Sequence, residues 1–266
     1  MKPLILIAAL ATLASTPALA GPPEDIVQLD VLPGWTTADG THMAAIRLTL
    51  APGWKTYWRA PGDAGIPPAF GWQGSQNIAA AQFHWPVPQV FDQNGMRSIG
   101  YAGQVVIPVE LTPVRPGGPL QMAGEVDLGV CHDICVPVRL QFDAVLPAAG
   151  GRDAAIVSAL VDQPLTEAEA GVGTVTCTLA TSEAGLWLTA TLTLPSTGGD
   201  EVVVIETADP QVWVSEAATS RAGGTLTATA ELVHATGGAI TLDRSALRIT
   251  VLGRDRAVDI TGCTAG

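Results

Sequence analysis

Cys131 and Cys135 are the residues of this chain best suited to chemistry, because only three residues separate them and paired thiols can carry electrons as a disulfide. On one straight strand their Cα atoms would lie about 13 Å apart, whereas a disulfide requires roughly 4.4–6.8 Å. Alternating apolar residues on both sides of the pair predict two strands. The spacing therefore favours a β-hairpin with His132-Asp133-Ile134 as its tip and the two cysteines closing its neck.

The chain has two further cysteines, Cys177 and Cys263. Four cysteines allow three pairings, and the local pair Cys131–Cys135 leaves Cys177–Cys263 as its complement. The loop-entropy estimate gives about 2 kcal/mol for closing the short loop and about 4.6 kcal/mol for closing the long one. On that pairing Cys177–Cys263 is a structural disulfide, whereas the short bridge contributes little stability and is free to serve as a redox couple.

Two other interpretations of the hairpin stay open. Cys131, His132 and Cys135, with His84 or Met96 nearby, have the ligand types that suit a soft ion such as Cu(I). Alternatively both bridges are purely structural, and the chain is a non-catalytic interaction module. The interchange interpretation requires no cofactor, and no regular metal-ligand spacing recurs elsewhere in the sequence.

The N-terminus has the pattern of a secretory signal peptide over residues 1–20. Lys2 supplies the basic start, residues 4–13 are mostly apolar, and Ala18-Leu19-Ala20 provides a small-residue cleavage site. The apolar run is too short to span a bilayer, and no later run is long enough to do so. We therefore expect an exported, periplasmic protein that is not itself membrane-spanning, in a compartment that favours paired cysteines.

The composition is acidic, with a formal net charge of −12. Removal of residues 1–20 would also remove Lys2 and leave Lys55 as the only lysine. Because an acidic surface repels phosphate backbones, we expect no nucleic-acid partner.

The hydrophobic pattern predicts an all-β fold of two immunoglobulin-like β-sandwich domains joined by a short helical connector. Runs rich in β-branched residues, separated by frequent Gly and Pro, predict about seven short strands within residues 21–147. One predicted strand, 101–111, contains Pro108, which suggests an edge position or a bulge. Residues 148–172 are predicted to be a connector with one helix. A second run of alternating, Thr-rich segments over 173–266 predicts the second sandwich.

Three stretches within residues 26–147 together resemble one protein family. They are the aromatic segment 53–63, Gly100-Tyr101 leading to Val106-Ile107-Pro108-Val109, and the cysteine segment 131–137. This layout is similar to the exported N-terminal domain of the DsbD-type thiol:disulfide interchange proteins, and most similar to their two-domain ScsB branch. Beyond residue 174 the resemblance depends mainly on the paired cysteines near the two ends of the segment.

The resemblance implies an immunoglobulin-like fold in which a redox-active cysteine pair lies on a hairpin. Electrons would come from a membrane-embedded thiol reductase through a thioredoxin-like domain. They would pass to exported oxidised proteins, including disulfide isomerases and cytochrome c maturation factors. A cap loop shields the pair in the family, and by position this loop is 91–96 here, with Phe91 as the cap and Asp92 as a nearby acid.

This chain departs from the family pattern in two respects. The best-known branch has five residues between the cysteines, where this chain has three. Full-length members also continue into transmembrane helices and a thioredoxin-like domain. Since neither follows here, we expect the membrane thiol reductase and the thioredoxin-like proteins to be separate partners.

The predicted function is thiol–disulfide interchange, as a component of a protein-disulfide reductase-type oxidoreductase. A donor thiolate attacks one sulfur of the catalytic pair, and the second cysteine resolves the mixed disulfide. Family analogy favours Cys135 as the attacking cysteine. A protonated His132 would favour the thiolate, whereas Asp133 would oppose it. Tyr57 and Trp58 are either core or rim aromatics or contacts of the cysteine pair.

Overall fold

The computed structural model describes residues 26–63, 65–93, 96–148 and 150–266. The predicted signal peptide, residues 1–20, lies outside the described residues. Within them the chain is all-β and immunoglobulin-like, with a short helical connection between two β-sandwiches.

The first sandwich is built from ten strands that form two antiparallel sheets. The strands are β1 (Val27–Thr36), β2 (His42–Leu50), β3 (Lys55–Tyr57), β4 (Ala69–Gly71), β5 (Ile78–Phe83), β6 (Gln89–Gln93), β7 (Met96–Ala102), β8 (Gln104–Pro113), β9 (Leu120–Cys131) and β10 (Cys135–Leu146). One sheet has the order β1-β2-β8-β5. The other, which we call the site sheet, has the order β10-β9-β3-β7-β6, with β4 also paired to β9.

Alternation of apolar residues fills the space between these sheets. On β8 the buried residues Val105, Ile107, Val109 and Leu111 point inward at every second position. They belong to one cluster with Trp58 and with Leu128 and other residues of the site sheet. Because one face of each strand is committed to this core, the strand register is fixed, and so is the set of side chains left on the outer face.

The predicted strand 101–111 is in fact parts of two strands that lie in different sheets. β7 ends at Ala102, and Gly103 turns the chain with a φ of 70° before β8 begins. Pro108 lies where the pairing of β8 with β5 ends, at Phe83. Its carbonyl accepts a hydrogen bond from the His84 N–H on that side, at 2.9 Å. The nitrogen of Pro108, which carries no hydrogen, faces the same side as its carbonyl. The ladder with β2 on the opposite side therefore loses no hydrogen bond.

Two helices connect the sandwiches, where the sequence pattern predicts one. Helix α1 (Ala154–Val161) begins after Asp153, whose carboxylate accepts from the first backbone N–H groups. Helix α2 (Glu167–Ala170) begins with a capping box formed by Thr166 and Glu169. Four residues are too few to produce a helical period, which is why the pattern misses α2. Neither described helix has the length and apolar character that spanning a bilayer requires.

The second sandwich follows with nine strands. They are β11 (Val175–Thr181), β12 (Leu186–Thr193), β13 (Val202–Glu206), β14 (Val212–Val214), β15 (Ala218–Ala222), β16 (Thr225–His234), β17 (Arg248–Leu252), β18 (Ala257–Thr261) and β19 (Thr264–Ala265). One sheet has the order β14-β16-β12-β11-β19, with β15 also on β16, and the other has the order β13-β17-β18.

The smaller sheet of the second sandwich lies between the two cores. On β13, Val203 and Ile205 are buried in the core of the second sandwich. Val202 and Val204, at the alternate positions, pack against the core of the first sandwich. This alternation along one strand joins the sandwiches through apolar contact as well as through the chain connection.

Candidate functional site

The cysteine pair closes a β-hairpin at one end of the site sheet. Cys131 is the last residue of β9, Cys135 is the first residue of β10, and the two are paired in register. They form a disulfide with their Cα atoms 4.1 Å apart. At the tip, the His132 N–H donates to the Ile134 carbonyl at 3.1 Å. The spacing argument therefore predicted this local geometry correctly.

The two ends of this disulfide differ in their access to solvent. Cys131 is 4% exposed, whereas Cys135 is classed as exposed together with the tip residues His132, Asp133 and Ile134. The disulfide is therefore accessible from solvent at its Cys135 end and shielded at its Cys131 end.

Tyr57 contacts both sulfurs from the neighbouring strand β3. Its hydroxyl lies 2.8 Å from Cys131 Sγ and 3.2 Å from Cys135 Sγ. Since the sulfurs of a disulfide carry no hydrogen, the phenol O–H is the donor. Burial raises the pKa of Tyr57 above its ordinary value of 10.0, so the phenol keeps its proton at neutral pH.

Strand alternation explains why Tyr57, and not its neighbours, reaches the disulfide. β3 pairs with β9 so that Lys55 lies opposite Cys131 and Thr56 opposite Val130. Thr56 points inward and donates to the Gly129 carbonyl at 3.0 Å. Lys55 and Tyr57 therefore share the outer face of the site sheet with the cysteines. Trp58 points inward and is fully buried in the core.

The ring of Tyr57 fits against β9 because residue 129 is a glycine. A Cβ at Gly129 would lie 2.9 Å from the Tyr57 ring and 3.0 Å from Ile66. Gly65 allows a similar approach on the other side, since a Cβ there would lie 2.2 Å from Pro61 and 3.0 Å from the Tyr57 ring. Residues 61–67, of which 64 lies outside the described set, form what we call the covering segment.

The sequence analysis did not predict that the covering segment and Gly129 pack against Tyr57. The available signal is the Gly and Pro content of residues 60–68, which is typical of an irregular loop. What could not be read from that composition is that this loop packs on the tyrosine that contacts the disulfide.

Phe91 lies in strand β6, at the edge of the site sheet, opposite Ser98 on β7. The ammonium group of Lys55 lies 4.4 Å from the centre of the Phe91 ring, in cation–π geometry. Lys55 is also the cross-strand partner of Cys131, so it connects Phe91 to the disulfide-bearing strand. Asp92 is exposed and lies opposite Arg97. The predicted cap loop 91–96 includes residues 94 and 95, which lie outside the described part.

His132 is held at the hairpin tip by polar and aromatic neighbours. Its Nδ1 lies 2.9 Å from Asp133 Oδ2, and its ring centre lies 5.8 Å from that of Trp54. Of the other ligands considered for copper, His84 pairs with Glu110 at 3.2 Å and Met96 is exposed. The described residues contain no group of three or more His, Cys, Asp or Glu side chains placed to hold a metal ion.

The second pair, Cys177–Cys263, forms a disulfide in the core of the second sandwich. Cys177 is almost fully buried on β11. Cys263 lies between β18 and β19, and β19 runs parallel to β11. This bridge therefore ties the C-terminal strand to the first strand of its sandwich.

Comparison with known proteins agrees with this geometry. The family described as "Thiol:disulfide interchange protein DsbD, N-terminal" matches residues 22–147. Among solved structures, the N-terminal periplasmic domain of ScsB from Proteus mirabilis superposes with a TM-score of 0.69. It is 23% identical, and the match covers 93% of this chain and 97% of that one. This likeness shows a shared fold over both sandwiches.

Two other comparisons add nothing to the argument. A marsupial T cell receptor matches over 93% of this chain and 100% of its own, at 10% identity and a TM-score of only 0.19. The search of curated proteins gives no match. The family assignment therefore depends on the match over residues 22–147, which contains the whole cysteine hairpin and Tyr57. Residues 22–147 therefore form a DsbD-type N-terminal domain, which is a thiol:disulfide interchange domain.

Proposed function

We propose that this chain is a periplasmic thiol:disulfide interchange protein that passes electrons through Cys131 and Cys135 to or from exported thioredoxin-like partners. The observation that carries the proposal is the asymmetric disulfide, with an exposed end at Cys135 and a buried end at Cys131 that receives a hydrogen bond from Tyr57. We assign the exchange to a domain of residues 21–147, followed by a connector, 148–172, and a second domain, 173–266.

In the reductive step, a donor thiolate attacks Cys135 Sγ. A bond forms between the donor sulfur and Cys135, the Cys131–Cys135 bond breaks, and its electron pair stays on Cys131 as a thiolate. The Tyr57 O–H lies 2.8 Å from that sulfur and donates to the new charge. The second thiolate of the donor then attacks the donor sulfur of the mixed disulfide and releases Cys135. Two electrons have then moved to this protein, and any proton that its new thiolates take up comes from solvent.

In the oxidative step, the Cys135 thiolate attacks the disulfide of an oxidised partner. The partner's leaving sulfur takes the electron pair and a proton, and a mixed disulfide through Cys135 results. Cys131 then attacks Cys135 Sγ, which re-forms the intramolecular bridge and releases the reduced partner. The short separation of the cysteines keeps the resolving thiol within reach of the mixed disulfide.

The surroundings suggest roles for the remaining predicted residues. Phe91, held over Lys55, would shield the disulfide edge on the side of β6, and Asp92 would lie at the rim of that shield. His132 would present its ring at the hairpin tip where a partner approaches. A membrane thiol reductase on a separate chain and cytochrome c maturation factors are the partner classes that the family resemblance favours.

Trapping of a mixed disulfide tests the proposal. Cys131→Ser removes the resolving thiol, so it should accumulate a covalent complex with oxidised thioredoxin on a non-reducing gel. Cys135→Ser removes the attacking thiol and should form little complex. A variant with Cys177 and Cys263 both changed to Ala serves as the control and should give the wild-type result. If neither single variant traps thioredoxin or a thioredoxin-like exported protein, the interchange role is wrong.

A further inference from the structure

Arg59 belongs to the first sandwich, and its side chain forms an ion pair with Glu206 of the second sandwich. Its guanidinium binds both carboxylate oxygens of Glu206 on β13, at 3.1 and 2.9 Å. It also donates to Thr250 Oγ1 on β17 at 3.2 Å. The side chains of Arg59 and Glu206 are only 13% and 23% exposed. A bidentate pair with this little exposure fixes the relative position of the two backbones, because two parallel bonds restrict both distance and orientation.

Arg59 is only two residues from Tyr57, whose hydroxyl contacts the disulfide. Trp58 lies between them, buried in the core, and the Arg59 guanidinium stacks on its ring at 3.9 Å. Two residues of extended chain span only about 7 Å. We therefore expect a displacement of Arg59 to displace Tyr57 as well, because the connection between them is short and nearly extended.

A second ion pair joins the same region to the second sandwich. Arg97, at the start of β7, lies 3.8 Å from Glu216. Gly62 of the covering segment fits between these residues, since a Cβ there would lie 3.3 Å from the Arg97 carbonyl and 3.6 Å from Glu216 Oε1. A cleft of about 650 Å³ opens beside them, between the covering segment and β13–β14. Packing around the cleft is incomplete, and the ion pairs there add to the apolar contact that Val202 and Val204 make with the first core.

We propose that Arg59 and Glu206 are a positioning pair through which the second sandwich holds Tyr57 against the Cys131–Cys135 disulfide. This rests on the proposed function, in which that disulfide cycles. A phenol O–H binds a thiolate more strongly than a disulfide sulfur, because the acceptor is charged. Correct placement of Tyr57 therefore favours the reduced protein, and hydrogen bonds weaken steeply once distance and angle are lost.

The test is the equilibrium of the full chain with glutathione. Two glutathione thiols reduce the Cys131–Cys135 disulfide to the Cys135 thiol and the Cys131 thiolate, release one proton and become one glutathione disulfide, and the reduced fraction is counted by alkylation and mass spectrometry. We expect Glu206→Gln to lower the equilibrium constant for reduction about threefold to tenfold, which is the effect of one hydrogen bond. Tyr57→Phe should lower it similarly. The double variant should show no further loss, because both changes remove the same bond.

Two further variants separate positioning from general stability. Glu201→Gln breaks the pair with Arg221, a contact whose two members both belong to the second sandwich, and should leave the equilibrium constant unchanged even though the sandwich is less stable. Arg59→Lys keeps the charge but loses the bidentate geometry. It should shift the equilibrium in the same direction as Glu206→Gln, and it replaces that variant if Glu206→Gln does not fold.

The outcomes distinguish this inference from the proposed function. A wild-type disulfide that glutathione cannot reduce contradicts the proposed function and the coupling with it. A reducible wild type with an unchanged Glu206→Gln variant contradicts the coupling alone. So does a double variant in which the effects of Glu206→Gln and Tyr57→Phe add in full.

Discussion

The two disulfides of this protein have the same chemistry but opposite surroundings. Cys131–Cys135 closes a hairpin at the surface, with an exposed Cys135 and a tyrosine hydroxyl on its sulfurs. Cys177–Cys263 joins segments 86 residues apart and lies against an apolar core. A short loop restricts the unfolded chain little, whereas a long loop restricts it strongly. This contrast agrees with the proposed roles, in which Cys177–Cys263 serves structure and Cys131–Cys135 serves exchange.

The largest expected contrast concerns stability. Changing both Cys177 and Cys263 to Ala should lower the free energy of unfolding by about 4–5 kcal/mol, whereas changing both Cys131 and Cys135 should lower it by about 2 kcal/mol. Urea denaturation of each double variant measures this difference. Exchange with thioredoxin should survive the first change and disappear in the second. Equal losses of stability, or exchange that depends on Cys177, would break the comparison.

Graded reduction tests the same contrast in the intact protein. Cys177–Cys263 lies against the core of the second sandwich, whereas Cys135 is exposed, and exposed disulfides are the more readily reduced. In glutathione buffers of decreasing potential, Cys131 and Cys135 should therefore be alkylated well before Cys177 and Cys263. Peptide mapping after alkylation gives both midpoints in one experiment. A Cys177–Cys263 bridge that opens first would contradict the assignment of structural and redox roles.

A smaller effect is expected from the packing that surrounds only the first disulfide. Gly129→Ala places a methyl group against the Tyr57 ring and Ile66. We expect this to cost about 1–3 kcal/mol of stability, as overpacking generally does, and to slow exchange by displacing the phenol. Gly151→Ala is the matched control, because a Cβ there meets no atom within 4 Å. Stopped-flow reduction by dithiothreitol measures the rate. Exchange at the wild-type rate would mean that the Tyr57 position is not critical.

The smallest expected effect is the pH dependence of stability that comes from Glu216, which lies between the two sandwiches beside Arg97. Burial raises the pKa of Glu216 above 4.5, Arg97 opposes the rise, and Asp63 and Asp92 add to it. An acid with a raised pKa in the folded state stabilises that state at low pH, and this stabilisation is lost as the pH rises through the folded-state pKa. The free energy of unfolding of the wild type, relative to Glu216→Gln, should therefore fall as the pH rises above about 4.5.

A second acid provides the control of opposite sign. Hydrogen bonds from the Thr166 backbone and side chain lower the pKa of Glu169 below 4.5. Its stabilisation is therefore present above that pH and is lost as the pH falls through the folded-state pKa. Urea titrations of Glu216→Gln and Glu169→Gln at several pH values compare the two slopes. The same slope for both would contradict the account of Glu216.

The sequence by itself determined the local features of this protein. The spacing of Cys131 and Cys135 required a fold-back if they were to bond, since disulfide geometry does not fit a straight strand. Alternating apolar residues determined the all-β class, because they leave each strand one face to bury. The hairpin neck and the all-β fold were correct for these reasons. The split of 101–111 at Gly103 was missed, because one glycine in an alternating run does not show whether a strand continues.

Only the tertiary structure decided what surrounds the disulfide. Alternation places Tyr57, at the end of β3, and the following Trp58 on opposite faces of the sheet, but the order of strands determines that β3 lies beside β9 and that Tyr57 reaches the sulfurs. The pair Arg59–Glu206 spans 147 residues of sequence, and no local pattern links its members. Such contacts arise when sheets and sandwiches pack together, and packing depends on the shapes of surfaces that residues distant in the sequence build jointly.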